Sequence, residues 1–393
     1  MSLAPSRPTP RPAPATAPFA RTAAVLSFTA LLATGQLYGV IPLFAAMEDD
    51  WGAGRTTLTW MVSVFGFGYV AGFLLFGPLS DRFGRRRVVV WGVAATTLTT
   101  ALVATAPSLG SGLALRALQG LTIGAFPPVA MAYVGERVEP RRRLVTLTAM
   151  TTGFLSAAVL GQLAAQGLAA TVGWRAFFLF GAVAFAVAAV ALHRVMLPDP
   201  PVGGRSPLDA YRAMPALLVS PRLRRLYLAT LTVLGSFVAV FTGLELSGVD
   251  GLLGLRAAAL PVILAIPFLT PRLARLPGPH RVGAALALAA GAVALAGLLE
   301  PGTAVLAVLL IALTGGIAIA APGLVDTVGT RAGDARGPAI SLFTAVLFLG
   351  ASIGPQIAGP LTSHGFAPLA YVLAGLLLSG SLLAASTASA ARR

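Results

Sequence analysis

Four arginines crowd one acid in the stretch Gly77-Pro78-Leu79-Ser80-Asp81-Arg82-Phe83-Gly84-Arg85-Arg86-Arg87, and two further charges, Arg116 and Glu245, stand inside long apolar runs. These types and spacings suit the exchange of ion pairs and the handling of protons or anions rather than bond chemistry. The chain has no cysteine and no lysine. That excludes thiolate chemistry, disulfides, a Schiff base and the lysine of a phosphate-binding loop. His193, His280 and His364 are scattered without metal-ligand spacing, so neither a metal nor another cofactor is expected. No nucleophile–base pair stands in an apolar run, and an enzyme is not expected.

Within the arginine-rich stretch, Gly77 permits close approach of a neighbouring helix and Gly84 permits a tight reversal of the chain. Arg82, Arg85, Arg86 and Arg87 are placed to reach lipid phosphates. Asp81 is the odd member: its carboxylate can cap a helix N-terminus or pair with a neighbouring arginine, and either contact can be exchanged as helices move. The plainer reading is a basic turn that only anchors topology. Arg116 is costly where it stands, roughly 2.5–3.5 kcal/mol on insertion scales, so it should face a cavity or a partner. Arg116, Gln119, Gly120, Gly124 and Pro127 share one helical face, polar and small. The alternative is an arginine near a span end that snorkels to the interface.

The elements that must position these residues are membrane spans. The chain of 393 residues is 56% hydrophobic and 10% charged, with mean hydropathy +0.85. An ordinary soluble domain carries roughly a quarter charged residues. This much apolar surface requires lipid as its solvent. Hydropathy and breakers place spans at 22–46, 58–79, 88–106, 109–134, 144–170 and 174–197, then at 226–246, 253–271, 282–299, 303–326, 338–362 and 366–390. The expected fold is all-α, with twelve transmembrane helices in two pseudo-symmetric six-helix bundles, 22–197 and 226–390. Residues 1–21, rich in proline, read as a disordered tail, and 198–225 as a solvated connector. A signal peptide is not expected, because the first apolar run is too long for one.

The net charge of +15 does not point to nucleic acid, because the arginines fall between apolar runs rather than on one exposed face. With the N-terminus inside, 24 arginines fall on inner segments and three (Arg55, Arg175, Arg256) on outer ones. The positive-inside rule expects that bias, and it puts both termini in the cytoplasm. A repeat supports the two halves: at an offset of 194, Leu79, Gly84, Arg87 and Val88 match Leu273, Gly278, Arg281 and Val282. Pro128, Val134, Gly135, Arg137 and Arg142 match Pro322, Val328, Gly329, Arg331 and Arg336 in the same register. In transporters built from repeats, the solute site lies between them near the midplane.

With its hairpin Gly-x-Leu-x-Asp-Arg-x-Gly-Arg-Arg, the chain resembles the major facilitator superfamily over about residues 22–390. The resemblance implies two six-helix bundles, a central cavity and rocking alternating access. It implies that Gly77, Asp81, Gly84 and Arg85, with Arg82 and Arg86 beside them, belong to a cytoplasmic gate that locks the outward-open state. The counterpart in the second half has Arg275 where Asp81 stands, so the gate would hinge on Asp81 alone. Arg116-x-x-Gln119-Gly120 is similar to the superfamily's fourth-span motif, linked to proton coupling or substrate binding. Gly153, Ala157, Gly161 and Ala165 make a small-residue stripe for packing. It lacks the Gly-Pro of drug/proton antiporters, which Gly350, Gly354 and Pro355 carry in the eleventh span.

The segment 116–143, with Gly173-Trp174-Arg175 and Gly235-Ser236-Phe237, is similar to the YnfM-like group of bacterial inner-membrane efflux permeases. Cavity-lining spans in this fold then offer Gln36, Tyr38, Arg116, Gln119, Ser236, Phe237, Phe241, Glu245 and Thr314. A mostly apolar, aromatic cavity suits a lipophilic or weakly polar solute. The expectation is a monomeric, multi-pass secondary transporter of the bacterial-type plasma membrane, exporting a small organic molecule against protons. The alternatives are a sugar or metabolite facilitator or importer of the same fold and, from another class, a membrane receptor.

Overall fold

A computed structural model of the chain describes residues 16–199, 207–249, 251–265, 278–299 and 301–389. Every regular element among them is helical. The first half contains α1 (Phe19–Tyr38), α2 (Phe44–Trp51), α3 (Arg55–Leu58), α4 (Trp60–Phe83), α5 (Arg85–Ala104), α6 (Leu109–Ile123), α7 (Pro127–Arg137), α8 (Pro140–Thr171) and α9 (Arg175–Val195). There follow α10 (Pro207–Val219), α11 (Pro221–Leu246), α12 (Leu252–Ala258), α13 (Gly278–Leu299), α14 (Thr303–Arg331), α15 (Arg336–Thr362) and α16 (Phe366–Ser389). Among the described residues ten helical segments are long and apolar enough to cross a membrane, and a bent pair makes an eleventh. The span expected at 253–271 begins with α12 but runs into residues outside those described, as do Leu273, Arg275 and residues 1–15 of the expected tail.

Three segments differ in detail from the sequence expectation. The first span is bent by 44° between Phe19–Tyr38 and Ile41–Trp51, where Gly39 and Pro42 interrupt the helical ladder. It also begins at Phe19, inside the expected tail. The span expected at 109–134 is two helices in line, because Pro127 and Pro128 have no N–H to continue α6. The connector holds the helix α10, which lies on α4, α11 and α15, and its Tyr211 hydroxyl donates to the Leu75 carbonyl of α4 at 2.9 Å.

The two halves repeat their helix pairings. In the first, α1 packs on α8 and α5 on α9; in the second, α11 packs on α15 and α13 on α16. Glycines set the closest of these approaches. A Cβ on Gly161 would meet the Gly35 Cα at 2.8 Å, and one on Gly350 would meet the Leu231 carbonyl oxygen at 2.2 Å. Gly153 lies as tightly against Ser27, and Gly354, one residue before the buried Pro355, against Gly235. Across the halves the main contact is α4 on α15, joined by α12 on α8. Outward-facing Trp91, Leu98, Phe180 and Leu298 are exposed, which a lipid solvent accommodates.

Candidate functional site

Arg116 on α6 has no exposed surface. Its guanidinium donates to three oxygens: the Met61 carbonyl of α4 at 3.0 Å, the Gln36 carbonyl of α1 at 3.0 Å and Gln119 Oε1 at 2.7 Å. Gln119 passes the network on, donating to Gln36 Oε1 at 3.1 Å and to Thr100 Oγ1 at 2.8 Å. The Phe65 ring lies under the cation, 4.2 Å from the guanidinium carbon to the ring centroid. No acid takes part. The positive charge is therefore held by dipoles and a ring, which satisfies its donors without neutralising it. Gly120 makes room for the arrangement: a Cβ there would strike the Phe65 carbonyl oxygen at 2.0 Å. In this conformation Arg116 is sealed by partners within its own half and faces no open cavity.

The seam between the halves is aromatic. Tyr69 and Phe73 of α4 pack edge-on against Phe348 of α15, at 5.0 and 5.3 Å between centroids. Tyr38, at the end of α1, packs edge-on against Phe237 of α11 at 6.3 Å, and Phe237 lies tilted against Phe241 at 5.0 Å. The Tyr69 hydroxyl and the Thr34 hydroxyl of α1 face each other, and neither has a further polar partner among the described residues. Ser236 Oγ, next to Phe237, is buried with no partner at all among them. Buried hydroxyls without partners are uncommon in folded proteins. Toward the far end of the seam from the arginine-rich hairpin, Gln356 of α15 donates to Thr59 Oγ1 at 3.1 Å and Ser63 Oγ at 2.9 Å.

At the hairpin, Asp81 pairs with Arg85 one turn on. Arg85 also reaches Glu136 at the end of α7, 2.9 Å away, and the Ser80 hydroxyl. These bonds all lie within the first half, and Asp81 has none to the second among the described residues. The acid that caps α5 is Asp199 of the connector. It accepts from the backbone N–H groups of Arg86 at 2.9 Å and Arg87 at 3.2 Å. Gly84 is needed twice here: its φ is +98°, and a Cβ would lie 2.3 Å from the Asp199 carboxyl carbon. Arg86 further donates to the His193 carbonyl at 3.2 Å, while Arg82 lies over the Phe83 ring. At the opposite face, Glu245 accepts from Arg256 at 2.6 Å.

The structure thus gathers Arg116, Gln119, Gln36 and the small Gly120 into one network, and Tyr38, Phe237 and Phe241 into an aromatic cluster at the seam. Glu245 belongs to neither: its bond is to Arg256. Gly77 lies along the α4–α15 seam, where a Cβ would stand 3.9 Å from Ser341 Oγ. Sequence reasoning missed Tyr69, Thr34, Gln356 and Asp199. The one available signal was for Gln356, a polar side chain directly after the Gly354-Pro355 pair.

Over residues 26–355 the chain matches the model of the Major Facilitator Superfamily. It is similar to the putative niacin/nicotinamide transporter NiaP of Bacillus subtilis, 32% identical over 164 residues, which is 40% of this chain and 39% of that protein. It is also similar to the 4-hydroxybenzoate transporter PcaK of Pseudomonas aeruginosa, 34% identical over 147 residues, covering 37% and 33% of the two chains. Both matches thus span well under half of the relative's length. Among solved structures the human organic anion transporter MFSD10 superposes with a TM-score of 0.71 at 19% identity, over 93% of this chain and 99% of that one. That likeness is one of fold alone, and it agrees with the paired helices and the single seam. The chain belongs to the Major Facilitator Superfamily.

Proposed function

We propose that the protein is a secondary transporter that carries a small organic solute through the seam between its halves by alternating access, with efflux coupled to protons. The observation that carries this reading is the aromatic seam between the halves, where the buried hydroxyls of Thr34 and Tyr69 have no polar neighbour beyond each other among the described residues. A solute with its own polar atoms would supply the partners these hydroxyls lack, a gain of about 0.5–1.5 kcal/mol per hydrogen bond. The rings of Tyr38, Tyr69, Phe237 and Phe348 favour a flat, largely apolar solute. Niacin and 4-hydroxybenzoate, named for the two relatives, are small aromatic molecules with a polar group at the edge.

Coupling is assigned to Arg116 with its network, and to Glu245, whose protonation would release Arg256. One proton moving down 100 mV supplies about 2.3 kcal/mol, nearly fifty-fold accumulation. Asp81 would serve as a gate by exchanging Arg85 for a partner in the second half when the seam rearranges. The direction of export rests on the resemblance to YnfM-like efflux permeases. The arginine bias would put both termini in the cytoplasm; a bacterial-type plasma membrane follows from the YnfM-like resemblance, and the carrier is taken to act as a monomer.

The lack of an acid beside Arg116 supports a second reading, a proton-independent carrier of an organic anion or other metabolite. Proteoliposomes separate the two. With labelled 4-hydroxybenzoate or niacin as probes, ΔpH should drive flux in the parent chain, and Arg116→Ala should abolish that drive while the protein still inserts. Counterflow indifferent to pH would overturn proton coupling and favour the second reading.

A further inference from the structure

We propose that the groove between α1 and α9 is a binding site for one anionic phospholipid. The groove measures about 770 Å³ and lies on the flank of the first half, away from the seam. Its walls include Val25, Ala186, Val190 and Ala191, and Arg21 and Arg194 stand among its lining residues. Val190 is exposed, so the groove opens to the surroundings of the helices rather than into the protein.

Two features identify the occupant. Arg21 lies in the first turn of α1 and Arg194 in the last turn of α9, so both cations sit at the membrane face that carries the arginine-rich hairpin. Both are exposed, and neither has a hydrogen-bond or ion-pair partner among the described residues. Their neighbours behave otherwise: Arg86, at the same face, is spent on the His193 carbonyl. Basic clefts between membrane helices at such a face take anionic headgroups.

The second feature is length. Along α9 the groove runs from Ala186 to Val195, about 14 Å at 1.5 Å per residue. One leaflet of the hydrocarbon core is about 15 Å deep, so the groove has the depth of one acyl chain. The small side chains of Ala24, Ala186 and Ala191 leave the room that such a chain fills. A phosphate bridging Arg21 and Arg194, with one acyl chain along Ala186 and Val190, satisfies both features together. The tail of this chain is a poorer occupant, since residues 1–15 contain Arg7 and Arg11 and no acid.

Native mass spectrometry of the full chain in detergent, titrated with phosphatidylglycerol or phosphatidylcholine, tests the site. The parent chain should retain one phosphatidylglycerol under conditions that strip phosphatidylcholine. Arg21→Gln with Arg194→Gln should lower that retention about tenfold, and Arg21→Lys with Arg194→Lys should largely keep it. Ala191→Trp, which fills the groove and leaves both arginines, should lower it as much; it decides the matter alone if the arginine variant does not purify. Equal retention of both lipids, or retention unchanged in the glutamine and tryptophan variants, would overturn the proposal. So would displacement of the lipid by millimolar inorganic phosphate, which would mark a simple anion site. Loss of retention on removal of residues 1–15 would overturn it too, by moving the binding to the tail.

Discussion

Gln356 Nε2 on α15 donates to Ser63 Oγ on α4 at 2.9 Å, and the same amide reaches Thr59 Oγ1 at 3.1 Å. One side chain therefore fastens the two halves at the face opposite the hairpin. The ring contacts of Tyr69 and Phe73 with Phe348 along the same α4–α15 seam can slide or part, whereas this bond has direction and must break for that face to open. The glutamine stands inside α15, directly after Pro355.

Replacing Gln356 by Leu removes two hydrogen bonds at about 1 kcal/mol each, so closure of that face should weaken roughly thirtyfold. The cysteine-free chain allows a direct reading. Thr56 and Gly359 face each other there, a Cβ on Gly359 falling 3.0 Å from Thr56 Cγ2. Cysteines at 56 and 359 should cross-link efficiently in the parent and poorly in the Gln356→Leu background. Equal yields would show that the clasp does not hold the seam.

Close glycine packing should be uneven in its demands. At Gly350 an added methyl meets backbone, the Leu231 carbonyl oxygen at 2.2 Å, which cannot rotate away. Gly350→Ala should destabilise by about 1–3 kcal/mol, as overpacking does. Gly375 has nothing within 4 Å of its would-be Cβ, and alanine there should be neutral or mildly stabilising. Thermal unfolding in detergent orders the two, and equal melting temperatures would contradict the packing described.

The cap on α5 makes a sharper chemical prediction. Asp199→Ala leaves the Arg86 and Arg87 amides without their acceptor, a loss of about 1 kcal/mol, or roughly fivefold faster hydrogen exchange at those two amides. Asp199→Asn keeps an accepting oxygen and should stay close to the parent. Should the asparagine variant exchange as fast as the alanine one, charge rather than the cap bond is what holds the connector to the hairpin.

Much of this architecture is legible in the sequence because the physics behind it is local. Each apolar run is readable within about twenty residues and the glycine at the reversal within about a dozen. Arg116, Gln119 and Gly120 are readable for the same reason, since helical spacing alone puts them on one face, although their partner Gln36 is 80 residues away. What escapes is set by long-range contact. Asp199 is 113 residues from the amide it caps, and Asp81, the acid nearest in sequence, takes Arg85 instead. Thr34 and Tyr69 stand in apolar runs and acquire meaning only when α1 and α4 meet. The bend of the first span and the break before α7 were carried by Pro42, Pro127 and Pro128, breakers outweighed by the apolar residues around them.

Glu245 and Arg256 supply the last prediction, because their burial is unequal. Arg256 is 1% exposed and its Nε already lacks a partner, while the Glu245 side chain is 24% exposed. Glu245→Gln strands a buried cation and should destabilise by about 3 kcal/mol. Arg256→Gln leaves a carboxylate that can still turn to solvent, so its cost should be smaller. The double variant Glu245→Gln, Arg256→Gln should recover much of the loss, since no buried charge remains at this pair. If the pair also carries the coupling proton, the double variant will be stable yet insensitive to ΔpH in reconstituted flux. Stability restored with ΔpH-driven flux intact would confine Glu245 to a structural role and leave coupling to the Arg116 network.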